Sequence, residues 1–141
     1  MPNILPAEKT TRVINATAAG TTAVNGTGVD MQDFESVKFE VSIGTLSATQ
    51  VTSLKAQGSS DNSTWADITG AATAAMADGD SNKMLILEVY RPQQRYVRCV
   101  VNRGTANAVV DSGVAVQRGP KKLPTTNDAT TVSASKTVVG V

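Results

Sequence analysis

The sequence predicts an all-β fold: a single antiparallel β-sandwich or jelly roll with extended N- and C-terminal arms. Three observations predict it. Val37, Phe39, Val41 and Ile43 alternate with Lys38, Glu40 and Ser42, the period of a strand with one buried face. Turn formers recur about every 8–12 residues, a spacing that favours sandwiches over α/β folds. Val, Ile, Leu and Phe make up 31 of 141 residues, just above the roughly 20% at which disorder becomes the default. They crowd between Phe34 and Val116. The organisation that follows is a flexible N-terminal arm over residues 1–9, a sandwich domain over 10–118 and an extended C-terminal arm over 119–141.

The elements follow in order. Met1 to Glu8 carries two prolines and no period, a flexible lead-in. Thr11, Val13 and Thr21 to Val24 suit strands, with Gly20 and Asn25-Gly26 as turns. The alternating strand from Val37 ends at Gly44. A second strand covers Gln50 to Gln57, with Thr52, Leu54 and Ala56 inward. Gly58 to Thr64 is a run of turn formers closed by Trp65, the only tryptophan, which can fold over a sheet edge as a core plug. Ala71 to Ala77 has helical composition but is short enough for a helix or a loop. Asp78 to Asn82 is another turn.

Met84 to Val89 and Tyr96 to Val101 are strands separated by Arg91-Pro92-Gln93-Gln94. Leu85, Leu87 and Val89 oppose Met84, Ile86 and Glu88, so both faces of the first are largely apolar. A sheet with one wet face does not need that. Either a second sheet or a partner chain is expected over the other side. Val109-Val110 and Val114 to Gln117 close the pattern around Asp111-Ser112-Gly113. Beyond Gly119, Pro120, Lys121, Lys122 and Pro124 form a stiff basic link. Thr125 to Val141 is a Thr/Ser/Ala-rich tail that cannot build its own core.

Composition removes whole classes of chemistry. The chain has no His and one cysteine, Cys99. Ser-His-Asp and Cys-His nucleophiles, His-ligated metals, disulfides within the chain and multi-Cys metal sites are therefore excluded. A net charge of +1 gives no overall field for nucleic acid or anionic lipid. No apolar run approaches membrane-spanning length, and Met1 to Arg12 lacks the apolar stretch of a secretory signal.

Individual motifs read the same way. Asp78, Asp80 and Asn82 match the start of a calcium loop, but Lys83 stands where that loop needs Gly and Val89 where it needs Glu. Asp61 and Asp67 flank Trp65, yet turn formation accounts for them without a glycosidase pair. Asn25-Gly26-Thr27-Gly28 lacks the third Gly of a dinucleotide loop and the Lys of a P-loop. Three Asn-x-Thr acceptors fit chance in a Thr-rich chain. The expectation is a chain without enzymatic activity, cofactor or metal.

The basic residues carry the remaining signal. Arg91, Arg95, Arg98 and Arg103 fall within 13 positions, interleaved with Tyr90 and Tyr96, and Lys121 and Lys122 follow. That resembles a nucleic-acid patch. Alternation scatters these side chains over loop and strand, however, and the charge balance is neutral. A partner-facing sheet is the better reading. Tyr96 and Arg98 share one face, the pairing that protein interfaces favour. The candidate partner-binding residues are Tyr96, Arg98, Arg91, Arg95, Lys121 and Lys122. Cys99 points the other way, beside Val97 and Val101, as a buried inert thiol.

Two resemblances attach to these residues. Ser59-Ser60-Asp61-Asn62-Ser63-Thr64-Trp65 with Arg95-Tyr96-Val97-Arg98 resembles the S-x-D-G-x-T-W and R-Y-V-R pair of discoidin-type jelly-roll domains. Those often bind glycans or lipid headgroups. Asn62 stands in place of the usual Gly. Over most of its length the chain is similar to small structural proteins of tailed bacteriophages. The similarity lies in its size, its Thr/Ala/Val/Gly bias, Asp30-Met31, Trp65-Ala66-Asp67-Ile68 and the run from Arg91-Pro92 into Arg95-Tyr96-Val97-Arg98.

Within that group, capsid cement or decoration proteins are similar in size and β-rich character. The resemblance implies a virion protein on the capsid exterior, bound to major capsid proteins as a homo-oligomer, dimer or trimer. The neutral charge balance and the lack of a membrane-spanning run point to no nucleic-acid or membrane partner. The alternatives are a glycan-binding jelly-roll accessory module and a tail or neck component.

Overall fold

The computed structural model describes residues 5–138 and 140. Ten strands form: β1 (Lys9–Ile14), β2 (Thr17–Gly20), β3 (Val24–Asn25), β4 (Val29–Asp30), β5 (Ser36–Leu46), β6 (Val51–Ser59), β7 (Ala66–Ala72), β8 (Met84–Tyr90), β9 (Tyr96–Gly104) and β10 (Ala108–Arg118). Their pairing has one logic. β1 pairs with β10, β3 and β4 with β9, β5 with β8, and β6 with β7, all antiparallel. These are the nested rungs of one long folded hairpin. Two further pairs, β10 with β5 and β9 with β6, roll it into facing sheets. The orders are β1-β10-β5-β8 and β3-β9-β6-β7, with β2 attached to β10 and β4 to β9. The fold is an all-β sandwich, wound as a jelly roll.

The core lies between the inner faces, and alternation places it. Val37, Phe39, Val41 and Ile43 of β5 are buried, as are Thr52, Leu54 and Ala56 of β6 and Val97, Cys99 and Val101 of β9. Each large aliphatic side chain contributes roughly 1.5–3 kcal/mol by leaving water. Inside this layer, the Thr52 hydroxyl has no hydrogen-bond partner among the described residues. Gln117 is also buried, and its amide donates to the Asp30 carbonyl at 2.8 Å, joining the end of β10 to β4.

Several local expectations are corrected. β5 does not end at Gly44 but runs to Leu46. The register with β10 slips there: β5 carries one extra residue between the pairs Leu46–Ala108 and Ile43–Val110, and β10 one between Val110 and Ser112, which restores the register. A Cβ at Gly44 would lie 2.9 Å from Asp111 Oδ1 and 3.1 Å from Val109 Cγ1. The glycine permits this close approach rather than stopping the strand. Gly20 and Asn25 sit at the ends of β2 and β3 instead of in turns, and of Thr21 to Val24 only Val24 is in a strand.

Ala71 and Ala72 belong to β7, and residues 73–83 form a loop, not a helix. Asp78 and Asp80 hold that loop. Asp78 accepts from the Thr49 N–H at 2.9 Å and the Gln50 amide at 3.2 Å, and Asp80 accepts from the Ala77 N–H at 2.9 Å. Trp65 is not a core plug either. It is half-buried on the outer surface of the β9 sheet, against Gly28 and Arg98. Among the described residues no second sheet lies over the other face of β8, where Met84, Ile86 and Tyr90 are 50, 55 and 63% exposed.

The tail turns back on the start of the chain. Thr125 donates its N–H to the Pro6 carbonyl at 2.9 Å and its hydroxyl to the Glu8 carbonyl at 2.7 Å. Asn127 accepts from the Thr10 N–H at 2.8 Å.

Candidate functional site

The surface chemistry gathers where β8 leaves its sheet and β9 begins. Tyr90 ends β8, and Arg91 follows in the left-handed region at φ 49°, a strained setting for a side chain with a Cβ. The Arg91 N–H donates to the Glu35 carbonyl at 2.7 Å, and its guanidinium reaches Glu35 Oε1 at 3.4 Å. The same guanidinium lies 5.2 Å from the centre of the Tyr90 ring.

Arg95 stands just before β9. It grips Asp30 with both arms, Nε to Oδ1 at 3.1 Å and Nη2 to Oδ2 at 2.8 Å. These bonds hold the Asp30 carboxyl below its ordinary range. The Arg95 guanidinium also lies 5.1 Å from the Tyr96 ring centre. Two residues on, Arg98 lies 4.6 Å over Trp65. Arg98 Nε donates to Gln57 Oε1 at 2.9 Å, Gln57 donates onward to Asp67 at 2.8 Å, and Lys55 meets Asp67 at 3.0 Å. Partial burial lowers the Arg98 pKa from its ordinary value.

Three arginines therefore stack on three aromatic rings. The chain has one Trp, two Tyr and two Phe, so most of its aromatic rings serve this surface rather than the core. Such contacts are each worth roughly 0.5–1 kcal/mol at exposed sites. Their larger effect is to fix long side chains in one arrangement before any partner arrives.

The sequence candidates divide accordingly. Arg91, Arg95 and Lys121 line one depression of about 460 Å³, together with Phe34, Glu35 and Gln94. The expectation that alternation scatters them is corrected here: the loop after β8 folds back beside the loop before β5. Tyr96 and Arg98 adjoin it on the outer face of β9. Lys122 is exposed and is not part of that lining. Two of the three cations in the depression are paired, with Glu35 and Asp30, so the patch is not a basic stripe.

Sequence reasoning missed Trp65 as the platform under Arg98. The sequence held no local signal for it, because Arg98 faces Gln57 across a strand pair that only the register reveals. It also named no residue of the β8 edge as a site, although the doubly apolar pattern of β8 pointed there.

Other candidates are accounted for locally. Asp61 Oδ1 accepts from the Thr64 N–H at 2.8 Å, the Ser63 N–H at 2.9 Å and the Ser59 hydroxyl at 2.8 Å. Its pKa falls to about 2 through these bonds, chiefly the one from Thr64. Asn62, where the discoidin pattern has Gly, takes the left-handed conformation at φ 59°, which Asn tolerates. Cys99 is buried, and desolvation pushes its thiol up to about 12, leaving it protonated and unreactive. Among the described residues no group of three His, Cys, Asp or Glu forms a metal site.

No protein-family model matches the chain, and no curated protein matches it significantly. Among solved structures, the crystal structure of the SPBc2 prophage-derived protein YomS is similar at 13% sequence identity. The alignment covers 82% of this chain and 99% of that one, with a TM-score of 0.47.

Proposed function

We propose that this chain is a non-enzymatic structural protein of a tailed-bacteriophage virion. In this reading it binds the outer surface of the capsid and stabilises contacts between neighbouring major capsid proteins. The observation that carries its protein-binding part is the arginine and aromatic surface. Tyr90, Tyr96 and Trp65 are held by Arg91, Arg95 and Arg98, the residue types that dominate binding hot spots. The phage resemblance supplies the capsid. Because the arginines are mostly neutralised by Asp30 and Glu35, the surface suits a protein better than a phosphate backbone. The protein acts as a homo-oligomer, so that each weak contact with the shell gains from its neighbours.

The test is co-sedimentation of purified protein with shells of the parent virus stripped of it. Saturable binding at a fixed ratio to the shell protein is expected. Tyr96→Ala with Arg98→Ala is expected to weaken it at least tenfold without unfolding the sandwich. Unchanged binding by that variant refutes this face as the contact, and no binding to an intact shell moves the protein to the neck or tail. A glycan-binding role has one observation of its own: a depression of about 370 Å³ lined by Asp67, Tyr90, Gln93 and Gln94. An array of soluble glycans separates the two, since a clamp binds none.

A further inference from the structure

Two features of the monomer are unfinished, and they match. The first is β8, the outermost strand of its sheet. Among the described residues no strand pairs with its other edge, and its outer face shows Met84, Ile86, Glu88 and Tyr90. Natural edge strands are usually blunted by charge, proline or a covering segment. Here three of four outward side chains are large and apolar.

The second is the tail. After the turn at Asp128, where the Thr131 and Val132 N–H groups donate to the Asp128 carbonyl, the chain reads Val132-Ser133-Ala134-Ser135-Lys136-Thr137-Val138. Val132, Ala134, Lys136 and Val138 alternate with Ser133, Ser135 and Thr137, a strand pattern. Yet the described part of this stretch is in no strand, and Val138 is 71% exposed.

We infer that residues 132–138 of one copy add as an antiparallel strand to the β8 edge of a second copy. Charge and size set the register. Lys136 opposite Glu88 forms the one ion pair the two strands offer. That register places Val138 against Ile86 and the small Ala134 against Tyr90. Opposite charges and apolar pairs directly across an antiparallel ladder each stabilise it. Glu88 is 46% exposed on its side chain, and its contact with Arg118 is long at 3.9 Å, so it is open to a better partner.

The tail is tethered away from its own β8. Its anchors, Thr125 on Pro6 and Glu8 and Asn127 on Thr10, hold it at the β1 side. β8 is three strand spacings away in the order β1-β10-β5-β8, about 14 Å. The strand-patterned stretch starts straight out of the Asp128 turn and lies beside residues 5–8 at the β1 side, not across the sheet. A second copy has no such constraint. Donor and acceptor lie on different parts of the surface, so the contact is heterologous and closes into a ring when the rotation permits.

This inference rests on the self-association within the proposed function and is independent of the capsid. Sedimentation of the full chain in solution, without shells, is expected to show a concentration-dependent oligomer. Deleting residues 131–141 is expected to leave a folded monomer. Glu88→Lys or Lys136→Glu alone is expected to weaken association about fivefold, and the two together to restore it. Ile86→Cys with Val138→Cys is expected to form disulfides between chains under oxidation, Cys99 being buried. A monomeric full chain, an oligomer that survives the deletion, failure of the double charge swap to restore it, or an 86–138 disulfide within one chain would each overturn the inference. A failed shell-binding test with this association intact would refute only the capsid reading.

Discussion

The two sheets share one inner-face code and finish their outer faces in opposite ways. On the β9 sheet, polar side chains satisfy one another in series: Lys55 to Asp67, Asp67 to Gln57, Gln57 to Arg98, and Arg98 over Trp65. On the β5 sheet, the edge strand β8 leaves Met84, Ile86 and Tyr90 exposed among the described residues. One face is closed within the chain, and the other is the one for which we propose a partner strand. Burial therefore reports stability on the inside, whereas exposure reports function only where the chain leaves contacts unmade.

The largest effect expected separates inside from outside on paired strands. Phe39 and Ile86 lie on β5 and β8, one buried and one 55% exposed. Phe39→Ala removes a ring from the middle of the core and is expected to cost about 3–5 kcal/mol in denaturant unfolding. Ile86→Ala, measured on chain lacking residues 131–141 to keep self-association out, is expected to change stability by less than about 0.5 kcal/mol. A comparable loss at both positions would mean that β8 is covered within the monomer and would erase the contrast.

The inner faces were legible because period-2 alternation is a local property. Val37, Phe39, Val41 and Ile43, Thr52, Leu54 and Ala56, and Val97, Cys99 and Val101 could be placed from sequence, and all are buried. What was illegible depends on register. The extra residue in β5 that carries the strand through Gly44 is set by Val109 and Asp111, far along the chain. Ala71 and Ala72 have helical composition but complete β7, because β6 offers them a ladder. The gathering of Arg91, Arg95 and Lys121 was likewise hidden, since it depends on two loops that meet only in the rolled hairpin. The shared face of Tyr96 and Arg98 was recognisable because both lie on one strand. Trp65 was not, because its partner Arg98 lies two strands away in sequence.

A mid-sized effect tests the wired face. A Cβ at Gly28 would collide with Asn62 Oδ1 and lie 2.6 Å from the Trp65 ring. Gly28→Ala must therefore push the indole off its seat and away from Arg98. The expected cost is about 1–3 kcal/mol, with a red shift of Trp65 emission as the ring meets water. An unshifted spectrum would show that the indole does not depend on that seat, and the β9 face would be less tightly wired than the contacts imply.

The smallest effect is a pH dependence at the turn that delivers Trp65. Asp61 is fully exposed, yet its carboxylate accepts the Thr64 and Ser63 N–H groups and the Ser59 hydroxyl. These bonds favour the charged form and bring its pKa from 3.8 to about 2. A carboxyl with a depressed folded pKa contributes its stabilisation in full above the unfolded value and loses it as pH falls through the folded one. The contribution of Asp61 is thus present above about pH 4 and fades towards pH 2. Asp30, Asp67, Asp80 and Asp128 are also lowered and add to the acid limb with the same sign. Following the Asp61 side chain by NMR during an acid titration is expected to give a midpoint near 2, with the Trp65 environment changing alongside it. Asp61→Asn retains one acceptor oxygen but not the charge, so it should flatten that part of the Trp65 response and leave the core strands untouched. A midpoint near 4 would mean that the turn is loose in solution. The arginine and aromatic surface would then form on the partner rather than before it.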